Sequence, residues 1–258
     1  MNDLPLTLLD HAFVVIVLLV LFPFAGWWSY QQYTTKGAQT GERALVREYQ
    51  ITIFWLLCLL GATLAVWGIN GRPIQGLYVN WNLTEYRALA IGGCIAIGFV
   101  VLLRPILVAF NKGMALQMAL AYQPLSDFLP RTPRELVWGL LVSVAAGICE
   151  EIAYRGFLLP YLHSLFTPMI LAIIVSSAIF GAAHLYQGIL GVITTSFVGV
   201  LFAVLYLSTG TLIGPIIIHI LMDIAAMVTA FLAFRAQDRA SAEQSTLSND
   251  PVSPDPAS

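Results

Sequence analysis

The stretch ICEEIAYRGF, residues 148–157, sets Glu150, Glu151 and Arg155 inside an apolar run where charge is heavily penalised. Two later stretches, FGAAH at 180–184 and HILMD at 219–223, add Phe180, His184, His219 and Asp223 to similarly apolar surroundings. An acidic or basic residue at mid-membrane costs about 2.5–3.5 kcal/mol on insertion scales, so the set represents on the order of 10 kcal/mol unless its members face one another or water. A shared polar cavity is the expected solution.

Helical spacing sorts the charges. Glu151 and Arg155 are four residues apart with the carboxylate on the N-terminal side, the favourable order for an ion pair along one face. Glu150 points about 100° away and is left without that counter-ion. Such a carboxylate can serve as general base or acid where a water reaches it. With His184 to orient the water and His219 and Asp223 to hydrogen-bond an oxyanion, the parts of a hydrolytic site are present. Glu150, His184 and His219 are equally a catalytic zinc set of two histidines and one glutamate, so the residue types leave water activation by glutamate and by zinc both open. One ion pair alone would suit a structural lock, and one histidine alone an interhelical hydrogen bond. A second, unpaired carboxylate beside two imidazoles and an aspartate favours chemistry.

The elements that must hold these groups are membrane helices. Hydrophobic residues make up 59% of the 258 positions and charged residues 10%, against about 25% charged in soluble domains. The net charge of −2, with Lys and Arg dispersed, excludes the basic footprint of a nucleic-acid binder. The acidic N-terminus reads poorly as a cleavable signal peptide. Cys58, Cys94 and Cys149 lie in apolar segments without a CxxC spacing, so free thiols are expected.

Seven segments, 11–29, 49–69, 88–110, 136–160, 168–187, 189–208 and 211–234, are long and apolar enough to span a bilayer, and 114–129 is a candidate eighth. The fold class is therefore an all-α polytopic transmembrane helix bundle of seven or eight spans. It divides into N-terminal transmembrane helices and polar loops (1–135), a catalytic core (136–234) and a disordered C-terminal tail (235–258). With seven spans the positive-inside rule puts Lys36, Arg43, Arg47, Lys112, Arg131, Arg134, Arg235 and Arg239 on the cytoplasmic side, against Arg72 and Arg87 on the other. The sequon at Asn82 to Thr84 counts only for a lumenal loop. Depth is the discordant feature: counted from the start of each span, Glu150 and His184 miss each other by on the order of 10 Å.

EEIAYR fits the pattern EExxxR, FGAAH fits FxxxH and HILMD fits HxxxN/D, in that order on late spans. Through these motifs the chain resembles the CAAX-processing and bacteriocin-processing family of intramembrane endopeptidases over residues 136–234. The resemblance implies an all-helical transmembrane bundle, with eukaryotic members cleaving prenylated CAAX proteins. It makes Glu150 the water-activating glutamate, Glu151 and Arg155 its supports, Phe180 and His184 the second motif, and His219 with Asp223 the completion of the site. Asp223 stands where asparagine is commoner, and an ionised aspartate accepts hydrogen bonds but donates none.

The expected partners are a peptide or membrane-protein substrate and the lipid bilayer, in a bacterial cytoplasmic membrane. The residues fix no cofactor, and zinc is the candidate. A non-catalytic scaffold or bacteriocin-immunity protein is the alternative. A proton-coupled transporter is less favoured for want of an inverted repeat.

Overall fold

The computed structural model describes residues 5–37, 42–78, 87–166 and 168–249. Every element among them is helical. We number eight: α1 Leu8–Thr35, α2 Glu42–Ile69, α3 Arg87–Phe110, α4 Lys112–Ala121, α5 Pro133–Leu165, α6 Met169–Ala182, α7 Gly188–Thr209 and α8 Ile213–Asn249. The sequon at Asn82 lies outside the described residues.

By length and composition six helices can cross a membrane, rather than the seven or eight expected. The difference is α6, whose 14 residues extend about 21 Å, short of a hydrocarbon core of about 30 Å. The candidate eighth span is the 10-residue α4 followed by a 3₁₀ turn at Gln123–Phe128. The tail also differs from expectation, because α8 continues as helix through Asn249. Ala, Arg, Gln and Glu dominate residues 235–244 and favour helix without any core. Ion pairs Arg131–Asp238 and Lys112–Glu243 tie this extension back to the bundle.

Local chemistry sets the ends of the core helices. Thr132 accepts a hydrogen bond from the Glu135 amide, and the Glu135 carboxylate accepts from the Thr132 amide, a reciprocal cap reinforced by Pro133 in the first turn of α5. The chain reverses into α7 at Gly188 (φ +77°) and leaves it at Gly210 (φ +70°), backbone angles that a side chain disfavours.

Packing then fixes direction. Tyr49 clusters with Val142, and Leu56 with Ala146 and Cys149, so α2 and α5 run parallel. On the other side a Cβ at Gly147 would meet Ile220 Cγ1 at 2.5 Å, while one at Gly139 would meet Met227, so α8 lies antiparallel to α5 at close range. Only glycine lets them approach so nearly.

A buried clamp closes the bundle at the end away from Arg131. Arg72 donates to both oxygens of Asp10, at 2.7 and 2.6 Å, and Asn70 and Thr7 supply further donors to the same carboxylate. The two charged side chains are 6% and 0% exposed. Removing one partner strands the other, so Arg72→Ala is expected to cost about 3–5 kcal/mol. Thermal unfolding in detergent measures this, and an unchanged midpoint would contradict it.

Candidate active site

Glu150 stands fifteen residues before Leu165, and His184 fifteen after Met169, where α6 begins. Both therefore lie about 22 Å from the turn that joins α5 to α6, at one depth. Counting from that turn removes the discordance that counting from the span starts creates. The α6–α7 hairpin reverses at this level, which leaves the site facing the space below the reversal.

Glu151 and Arg155 form the expected ion pair: Arg155 Nη1 donates to Glu151 Oε1 at 2.7 Å, and its Nη2 donates to the Gly199 carbonyl on α7 at 3.1 Å. The guanidinium also lies 4.3 Å from the centroid of the Phe180 ring. Glu151 directly precedes, and Arg155 lies within, a π-helical segment, Ile152–Leu158, in which every residue is buried. Such widened turns recur at functional sites.

His219, brought in by the close α5–α8 contact, donates Nδ1–H to the same Glu151 oxygen at 2.9 Å. His184 donates Nδ1–H to the Phe180 carbonyl at 2.9 Å, since a carbonyl can only accept. Each imidazole thus has its Nδ1 engaged and its Nε2 directed inward. Both Nε2 atoms lie 3.9 Å from Glu150 Oε2, an oxygen that is buried with no direct hydrogen-bond partner among the described residues. Asp223 Oδ2 is 3.6 Å from His219 Nε2, and its side chain is 39% exposed, so it occupies the outer edge of the group. All six residues expected from the sequence come together.

The spacing around Glu150 suits a water. A water oxygen hydrogen-bonded at about 2.8 Å to both carboxylate and imidazole bridges such a gap. Tetrahedral zinc with bonds of about 2.0–2.1 Å needs its ligand atoms only about 3.4 Å apart, closer than these 3.9 Å separations. Among the described residues no group of three His, Cys, Asp or Glu side chains is disposed to hold a metal ion. The donor set as it stands does not fit zinc.

A cavity of about 80 Å³ opens from Glu150 and His184 toward α1 and α2. Its wall includes Ser29, Tyr30, Glu48, Thr52, Trp55, Phe128 and Tyr186, none of which the sequence motifs single out. Glu48 falls one residue before the segment expected to be the second span. Its polar neighbour Thr52 four residues on, and Trp55 three beyond, were the available sign of a cavity-facing stripe.

Buried carboxylates, imidazoles and an aromatic cavity inside six membrane-length helices define an integral membrane protein with an enzyme-like interior. Residues 132–225 match the family described as Rce1-like, the type II CAAX prenyl endopeptidase Rce1-like family. The resemblance carried by the three motifs is borne out over this segment, which holds all six site residues. No curated protein and no solved structure matches the chain significantly.

Proposed function

We propose that the chain is an intramembrane endopeptidase in which Glu150 activates water to hydrolyse a peptide bond of a peptide or membrane-associated protein. The observation that carries this reading is the convergence of two imidazole Nε2 atoms on a buried carboxylate oxygen with no direct partner. Glu150 takes a proton from the water as its oxygen bonds to the carbonyl carbon. His184, fixed by the Phe180 carbonyl, orients that water. His219, fixed by Glu151, donates from a protonated Nε2 to the oxyanion of the tetrahedral intermediate. Collapse breaks the C–N bond, and the proton held by Glu150 passes to the leaving nitrogen, giving a carboxylate and an amine.

Asp223 acts on His219 through its charge, its Oδ2 lying 3.6 Å from Nε2, rather than on the oxyanion, since an ionised aspartate has nothing to donate. The membrane in this reading is a bacterial cytoplasmic membrane, with the Arg131 and Arg134 end of α5 facing the cytoplasm. Peptide cleavage by purified protein in proteoliposomes tests the mechanism. His184→Ala is expected to lower kcat/KM about 100-fold, and a chelator to leave wild-type cleavage unchanged. Loss of cleavage on chelation, restored by zinc, would overturn activation by glutamate alone.

A further inference from the structure

Glu48 is a buried carboxylate that the proposed hydrolysis does not use. It is 7% exposed, and Ser29 Oγ donates to its Oε1. Its other oxygen has no hydrogen bond, and the side chain makes no salt bridge, among the described residues. Arg47, the next residue, attracts Glu48 through its charge but is exposed, forms no salt bridge with it and takes no part in the cavity wall. Glu48 instead lines the cavity that Glu150 and His184 line, with no lysine or arginine among the described residues of that wall.

Beside it stands an aromatic cluster: Tyr30 and Phe128 each lie 5.8 Å from the Tyr186 ring, and 6.1 Å from each other. A nearly buried carboxylate with one donor is costly to keep unless a cation completes it. Aromatic faces attract the same kind of guest.

The parallel packing of α2 on α5 gives the distance. Leu56 clusters with Cys149, so the α2 position level with Glu150 is the next one, nine residues beyond Glu48. At 1.5 Å per residue this is about 13 Å. An extended peptide rises 3.2–3.4 Å per residue, so about four residues cover the interval.

We propose that Glu48, Ser29 and the Tyr30, Phe128 and Tyr186 rings form a subsite for a lysine or arginine side chain of the substrate, about four residues from the bond that Glu150 addresses. The subsite deepens the endopeptidase reading and rests on it. Glu48, Ser29, Tyr30 and Phe128 all precede the segment matched to the family, so the preference belongs to this chain's own N-terminal helices.

Binding tests it without requiring cleavage. Capped octapeptides of Ala and Leu carrying one lysine, moved through each position, are compared with the same peptides carrying norleucine, which keeps the stem and lacks the charge. The host is full-length Glu150→Gln protein in detergent micelles. At one position the lysine peptide is expected to bind at least about tenfold tighter. Adding Glu48→Gln should close that gap, while Glu48→Asp should keep part of it.

Equal binding of the two series at every position, no binding of either, or a gap that survives Glu48→Gln overturns the subsite. A retained unfolding midpoint for Glu48→Gln shows that the comparison is between folded proteins. Cleavage by wild-type protein separates the two proposals. Glu48-dependent lysine binding without hydrolysis of any peptide defeats the endopeptidase reading alone, whereas hydrolysis with no charge preference defeats the subsite alone.

Discussion

Glu150→Gln is expected to lower peptide hydrolysis by about 10²–10⁴-fold, the usual worth of a general base, and to leave the fold intact. The amide has nearly the carboxylate's shape, and no donor among the described residues hydrogen-bonds Glu150 Oε2, so the exchange strands no partner there. What it removes is the ability to accept a proton from water and return it to the leaving nitrogen. The reading of kinetic constants follows: kcat and kcat/KM should fall together, as for a group acting in the transition state, with peptide binding retained. Steady-state cleavage of a reporter peptide, with the unfolding midpoint measured on the same preparation, checks both halves. Cleavage at the wild-type rate would remove Glu150 from the mechanism.

A large effect on stability is expected from Arg155→Met. Glu151 is fully buried, and its Oε1 accepts from both Arg155 and His219, while its Oε2 is buried with no partner of its own. Loss of the guanidinium leaves that carboxylate supported by one imidazole in a low-dielectric interior, at a cost of about 3–5 kcal/mol. The denaturation midpoint in detergent should fall by on the order of 10 °C.

The double variant Glu151→Gln with Arg155→Met separates the causes. It removes both charges together and should recover most of the lost stability, because a neutral pair carries no stranded ion. If Arg155→Met alone unfolds like wild type, the ion pair is not the lock that the geometry describes.

The site was legible because its residues break the surrounding pattern. Glu150, Glu151, Arg155, His184, His219 and Asp223 are ionisable groups in hydrocarbon, and four-residue spacing already paired Glu151 with Arg155 and stacked His219 on Asp223. Depth was not legible, because the end of α5 carries no readable stop. Pro160 suggests one, yet it sits in the first turn after the π segment, where its missing amide is tolerated, and the helix runs on to Leu165.

The number of full-length spans was hidden for a related reason. Residues 168–187 are apolar enough in sum to read as a span, but α6 ends at Ala182 and gives way to the reversal around His184. Hydropathy sums composition and does not register where the backbone turns. Glu48 escaped notice because it stands beside Arg47 at a span edge, where a charge is ordinary. Only the packing of α2 on α5 turns it inward.

The most direct measurement is the isotopic content of a cleaved peptide after reaction in water enriched in ¹⁸O. With wild-type protein in proteoliposomes, mass spectrometry should find two fragments, the new C-terminal carboxylate carrying one ¹⁸O from the attacking water, and Glu150→Gln should produce neither fragment. Intact peptide with wild-type protein, or labelled fragments in equal yield from Glu150→Gln, would contradict hydrolysis by a Glu150-activated water.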